Sequence, residues 1–515
     1  MKSNPTERHA VLKICCCSVA VVLAIFGGIL SAARPGKHQQ PAAAKPAKPV
    51  ANPSDLRDWT TVAAAVDHEI SAALVEAKIP ESLPASDNEF IRRATLDIVG
   101  RIPTAQRAAA FAGDKSPNKR QKLIDELLAG PNYGTNFGTI WYHLLVTPND
   151  DNRKLIRHSF ADWLADEFNR NRGWNQIVRD ILTASGDRNG NPATVFWFGS
   201  AVLEDKQEKL KPQAALATAT HRFLGVQYQC AECHNHPFTG FKQTDFWSMV
   251  AFFGKVDFAH AKKKALKKGN GDPAVREGAA GDGAIEIPEK AGLTVTAKFP
   301  DGPAFAADGQ PLRVQFADWC TSSDNYEFPR AAVNRLWAHF FGRGIVDPVD
   351  DFRQGNEPSH PELLRLLAEE FRASGYDRKH MIRCICNSQA YQRSSETVEA
   401  NESDEKLFSH MALKTMSAEV LLNSLSTALG HKAVEGEPYA REGKKANKNP
   451  AGMFLQQFDT TDEPDLPDYG HGVPQVLRLM NGGDFDKSCP TLDGLLESSH
   501  GNSARIIEGL YWAAL

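Results

Sequence analysis

Residues 86–100 read SDNEFIRRATLDIVG, and this stretch decides the fold class. Ser86, Asp87, Asn88 and Glu89 supply capping groups for a helix that starts at once, because the N–H groups of a first helical turn need outside acceptors. Gly100 closes that helix, since glycine enters the left-handed conformation of a helix end without steric cost. The same grammar recurs on both sides. Upstream, Trp59 to Ala77 carries apolar residues at helical spacing and ends before Pro80. Downstream, Pro103 and Thr104 open another helix, and Asn118 to Leu128 runs until Gly130 and Pro131 stop it. Helical stretches continue near Asn136–Leu145, Ser159–Asn169, Trp174–Ala184 and Gln213–Gln229, and no convincing strand is expected between residues 56 and 256.

Further along, the pattern changes and then returns. Residues 259–290 are basic, then glycine-rich, the composition of a solvated loop. The following AIEIPEKAGLTVTAKF, residues 284–299, alternates with period two and predicts a short strand pair. Helices resume at Phe328–Phe341, at Glu362–Ser374 behind a capping-box pattern starting at Ser359, and at Lys379–Ser388, Ser417–Leu429 and Arg505–Leu515. Residues 432–449 are charged and read as a loop. The expectation is a mainly α protein: two helical domains, 56–258 and 312–515, with a small β-rich insert at 259–311 between them and an N-terminal transmembrane helix.

That transmembrane helix is read from residues 14–33. Lys2, Arg8 and Lys13 precede Ile14 to Ala33, twenty residues without a charge. At helical rise this spans about 30 Å, the thickness of a bilayer core, and the flanking cations keep residues 1–13 in the cytoplasm. Ser31, Ala32 and Ala33 also fit a signal-peptidase site; either way the chain after residue 34 is exported. Residues 34–55, rich in Pro, Ala and Lys, form an extended linker. The protein is thus expected to be membrane-anchored with its bulk in the periplasm or at the cell surface. A formal charge of −4 over 515 residues gives no reason to expect a nucleic-acid partner.

The nine cysteines are not spaced as a disulfide framework. Cys15, Cys16 and Cys17 follow Ile14, where a lipoprotein signal would want a small residue, and read as small apolar residues at the membrane border. Cys384 and Cys386 fall two apart in a helix and so do not share a face; two buried thiols are expected. Cys230, Ala231, Glu232, Cys233 and His234 are different. Two thiols three residues apart can add to the two vinyl groups of one haem, and the adjacent histidine can supply a nitrogen to its iron. Three other readings stay open: a local disulfide, a zinc or iron site in which the two thiols join His236 and a remote ligand, with His234 also a candidate, and a packing turn. His221 and Met249 are nearby, but neither is assigned as a distal ligand. His236 is left to orient His234 or to bind something else. No G-x-S-x-G, P-loop or H-E-x-x-H pattern is present, Asp347, Asp350 and Asp351 read as a turn, and no catalytic residue is assigned.

FIRRATLDIVGRIPTAQRAAAFAGD, KRQKLIDELLAGPNYG and THRFLGVQYQCAECHNHPFTGFKQTDFWSMVAFFGKV together resemble the planctomycete cytochrome-c-like domain of the PSCyt type. FADWCTSSDNYEFPRAAVNRLWAHFFGRGIVDPVDDFRQGNEPSHPELLRLLAEEF and SGYDRKHMIRCICNSQAYQRSS resemble its usual C-terminal companion, the PSD-type domain. The resemblance spans most of residues 85–515 and implies a large exported protein whose two domains are of unknown function. Carried over, Cys230, Cys233 and His234 match the family's motif, and His236 and Pro237 match the residues after it. Where the family reads Asp and then Arg-Tyr after Trp141, this chain has Tyr142, His143, Leu144 and Leu145. The function expected is electron transfer through a haem c on Cys230, Cys233 and His234, with a redox or surface-protein partner not identified. The alternative is a surface-interaction or polymer-processing module with a non-haem zinc or iron.

Overall fold

The structure is a computed structural model that describes residues 58–146, 157–204, 207–236, 240–259, 274–279, 283–288, 290, 292–300, 302, 306, 309–431, 454–455, 458, 489–500 and 502–514. The expected anchor at 14–33 with Cys15, Cys16 and Cys17, the linker at 34–55 and the loop at 432–449 lie outside the described residues. Among the described residues, no helix is long and apolar enough to cross a membrane.

The chain is mainly helical, as its capping signals predict. α1 spans Trp59–Ala77, α2 Asp87–Val99, α3 Ala105–Gly113, α4 Lys119–Ala129, α5 Pro131–Leu145, α6 Arg157–Asn169 and α7 Trp174–Thr183. The Ser86 hydroxyl accepts from the Glu89 N–H at 3.2 Å, and Gly100 ends α2 at φ +69°. α5 and α6 lie in close contact because α5 offers glycine where the backbones meet: a Cβ on Gly138 would stand 2.6 Å from the Ala161 carbonyl. Beyond these, α8 is Val195–Gly199, α9 Pro212–Ala219, α10 Gln243–Val250, α11 Leu312–Cys320, α12 Glu327–Phe341, α13 Pro361–Ala373, α14 Arg378–Cys386, α15 Ala418–Leu429, α16 Pro490–Ser499 and α17 Ser503–Ala514.

Three expectations need correction. The helix expected over Gln213–Gln229 ends as α9 at Ala219, continues as one π turn over Thr220–Leu224 and stops at Gly225, φ +68°. A Cβ at Gly225 would collide with the Phe352 ring, so the chain turns where another element already occupies the space. The strand-free reading of residues 56–256 also fails. β1, Gly186–Asp187, pairs antiparallel with β5, Ala274–Glu277, which pairs on its other side with β4, Val256–Ala259. β2, Ala201–Glu204, and β3, Gln207–Leu210, form a hairpin. Strands of two and four residues are too short to print a period-two pattern, and the β1 partner lies far along the chain. Finally, Ser359 does not cap α13; His360 holds that position, and the Ser359 hydroxyl donates to the Ile345 carbonyl. The strand pair expected at 284–299 is present as β6, Ala284–Glu286, against β7, Thr294–Thr296.

Buried residues from Val62 to Met411 form one continuous core. Its seams join early and late parts of the chain. The edge of Tyr391 meets Phe90 at 6.4 Å, and its hydroxyl donates to buried Asp97 at 2.9 Å. Arg93 donates to the carbonyls of Tyr391 and Arg393, both at 2.8 Å. Lys414 neutralises Asp97 from 2.6 Å. Each of these polar groups is paired as burial demands.

Candidate functional site

The Cys230 motif is a surface loop on a buried footing. The π turn before it carries Arg222, whose guanidinium donates to the Leu144 carbonyl at 3.1 Å and to the Asp350 carboxylate at 2.8 Å. Arg335 also pairs with Asp350, and the His221 ring reaches it at 3.3 Å. All three partners of this carboxylate are largely buried, and removing one member of such a set would strand a charge in the core. Asp350, read from sequence as part of a turn, is therefore a structural anchor. His221 is engaged with Asp350 and with the Gln227 amide at 3.4 Å, and Met249 is core filling.

After Gly225 the chain makes a 3-10 turn at Gln229–Ala231, on which Ala231 is buried while Cys230 is exposed. Cys233, also exposed, follows on the same loop, and both thiols are free. α10 holds the loop from behind. The Gln243 amide donates to the carbonyls of Glu232 and Cys233 at 3.0 and 3.1 Å, and the Trp247 indole N–H donates to Glu232 at 3.0 Å. The Gln243 N–H donates to the Asn235 side chain at 3.0 Å, and the His236 N–H to the Phe241 carbonyl at 2.9 Å. Tyr228 and Phe241 stack at 4.1 Å and close the loop's base.

The histidine next to the thiols has a defined tautomer. Its Nδ1 lies 2.7 Å from the Asn235 carbonyl, which can only accept, so Nδ1 carries the proton. In the neutral ring Nε2 then keeps its lone pair, and His234 is exposed. A histidine ligand oriented through its other nitrogen is the usual arrangement at a metal. The structure thus gathers Cys230, Cys233 and His234 on one loop, with His236 half-buried beside them. Among the described residues no three or more His, Cys, Asp or Glu side chains converge as a compact metal site requires. A haem asks for less convergence: its vinyl groups lie at the ring edge and its iron at the centre, so two thiols and one imidazole need not meet at a point. The donor set fits that group. Asn235, Gln243 and Trp247, which hold the loop, carried no sequence signal, because their role depends on one loop lying across the start of α10. Tyr142, where the resembling family reads Asp, is buried, and the neighbouring His143 meets Glu419 at 2.9 Å.

Residues 65–258 match the PSCyt2 family, described as a protein of unknown function (DUF1549). Residues 312–480 match the PSD1 family, described as a protein of unknown function (DUF1553). The chain carries a PSCyt2 domain followed by a PSD1 domain. The Cys230 loop lies within the PSCyt2 segment, while Asp350, which anchors its footing, lies in the PSD1 segment. No curated protein and no solved structure matches the chain.

Proposed function

We propose that this PSCyt2–PSD1 protein is exported, tethered to the membrane by residues 14–33, and carries a c-type haem on the Cys230 loop for electron transfer. The observation that carries the reading is the pairing of two free, exposed thiols with a histidine whose Nδ1 proton is committed to a backbone carbonyl. Cys230 and Cys233 would hold the group by thioether bonds and His234 would supply Nε2 as the proximal ligand; bound there, the group supplies one-electron redox chemistry. The chain's own part is to present these groups. Gln243 and Trp247 fix the loop carbonyls, so the thiols keep their places at the surface without a disulfide. A zinc or iron site would need Cys230, Cys233 and a histidine to converge with a remote ligand, and among the described residues no three such side chains are gathered that closely.

The test is expression of the full chain in an export-competent host that matures c-type cytochromes, followed by haem staining of a denaturing gel and metal analysis. A stained band that disappears in Cys230→Ala and in Cys233→Ala supports the reading. Stoichiometric zinc or iron with no stained band overturns it. Protease treatment of intact spheroplasts reads the topology: export predicts digestion of everything after residue 34.

A further inference from the structure

A cavity of about 40 Å³ lies among α5, α7, α12 and α14, walled by Phe137, Trp141, Trp174, Arg335, His339 and Arg378. Arg378 is 5% exposed, and its Nη1 is buried without a hydrogen-bond partner among the described residues. Aromatic faces surround the guanidinium: its carbon lies 3.8 Å from the Phe168 ring centre, 5.1 Å from Phe137, 5.3 Å from Trp174 and 5.9 Å from Trp141. Ring faces attract a cation but accept none of its five N–H groups in the plane of the fork.

The nearby carboxylates are already committed. Asp377 caps α14 by accepting from the His380 N–H at 2.8 Å, Glu370 binds the His380 ring at 2.8 Å, and Asp97 takes Lys414 and Tyr391. Asp350 serves Arg222 and Arg335. Arg335 stands over the same indole as Arg378, its guanidinium carbon 5.9 Å from the Trp141 ring centre. Arg222 and Arg335 are thus matched by Asp350, whereas no carboxylate among the described residues pairs with Arg378. His339 adds no charge: burial holds its pKa below the usual range, and it meets the Asp97 carbonyl through Nε2 at 2.8 Å.

We propose that this cavity binds a short carboxylate of about acetate size, gripped by Arg378 with Arg335 across the Trp141 ring. The size follows from the volume, since one water needs roughly 10–15 Å³ of such space and a few non-hydrogen atoms fill the rest. The class follows from the donors and the walls. A planar guanidinium offers two parallel N–H groups to the two oxygens of a carboxylate, and the aromatic walls suit a methyl group. The site is independent of the Cys230 loop and does not require a haem.

The test uses the full chain in mild detergent, dialysed against sodium gluconate, an anion too large for the cavity. Sodium acetate is titrated in at constant ionic strength while tryptophan fluorescence and Tm are followed, because Trp141 and Trp174 line the site. The expected result is a saturable fluorescence change and a Tm rise of a few degrees with acetate and neither with further gluconate. Arg378→Met, neutral and similar in length, should lose both responses and melt no lower than the wild type in gluconate. Equal responses to the two anions in the wild type, or a retained acetate response in Arg378→Met, would overturn the site. Equal saturation by chloride would overturn the carboxylate assignment. Should Arg378→Met fail to fold, the paired wild-type titrations decide alone.

Discussion

Cys230 and Cys233 stand in the open on a braced loop, while Cys384 and Cys386 are fully buried in α14. The two pairs share an element and differ in everything that controls it. Burial pushes the Cys384 and Cys386 thiols well above the usual range, and Glu370 adds to that effect at Cys384. The Cys384 sulfur lies 3.6 Å from the His380 ring nitrogen, with Glu370 on the same ring at 2.8 Å, yet that trio is packed against the core with its thiol protonated. A thiol acts as nucleophile or ligand through its thiolate, so this arrangement is structural in spite of its composition. The loop pair is exposed and offered to solvent. Position relative to water, more than residue identity, separates a chemical cysteine from a packing one.

The largest contrast should appear in thiol labelling. In native protein produced without haem, Cys230 and Cys233 should react with a maleimide more than about a thousandfold faster than Cys320, Cys384 and Cys386, which react only when the core opens. Haem loading should then protect the first two alone. Comparable rates at Cys384, read by peptide mass mapping, would break the comparison. The footing of the exposed loop comes next. Asp350→Asn leaves Arg222 and Arg335 without their buried counter-charge and should cost about 3–5 kcal/mol in denaturant unfolding. A loss below about 1 kcal/mol would show that the loop does not depend on that anchor.

Acid should weaken the buried side in a defined window. His360, at the start of α13, is buried, and that burial lowers its pKa to about 4 from the ordinary 6.5 of a histidine. The unfolded state therefore binds the proton first. The histidine's contribution is complete above pH 6.5 and is lost as pH falls from there to about 4, a difference of about 3 kcal/mol. Wild type should lose that much more stability across the window than His360→Gln; parallel curves would refute the assignment. The smallest effect belongs to Gln243→Ala. Losing the two bonds to Glu232 and Cys233 should cost about 1–2 kcal/mol and speed amide exchange across residues 230–236 with the core unchanged. Unchanged exchange there would mean that Trp247 and the backbone N–H groups of Gln243 and His236 brace the loop without the amide.

Much of the fold was legible because helix grammar is local. Ser86 and Gly100 mark the ends of α2, and Gly130 and Pro131 mark the C-terminal end of α4, since each signal lies within a turn of what it controls. The motif was legible for the same reason: Cys230, Cys233 and His234 are adjacent in the chain. What the sequence did not reveal depends on contacts between distant segments. The stop at Gly225 needs the Phe352 ring, β1 needs residues 274–275, and Asp350 looks like any turn aspartate until Arg222 and Arg335 reach it. Cys384 and Cys386 were readable as no joint site because residues two apart on a helix do not present a common face, and both are buried.

The Arg222–Asp350 pair reaches from the PSCyt2 segment into the PSD1 segment and has a consequence for descent. Arg222 depends on an aspartate supplied by the other segment, so the PSCyt2 segment cannot be joined to a foreign counterpart of its partner unless that counterpart carries the carboxylate. A lineage that recombines these segments as cassettes must carry the arginine and the aspartate together. A swap that brings in a PSD1 segment without the aspartate strands Arg222 in the core, whereas one that loses Arg222 leaves Asp350 to Arg335 alone. The ion pair thus acts as a compatibility lock, under which the two halves are free to vary at their surfaces but are inherited as a unit at this seam.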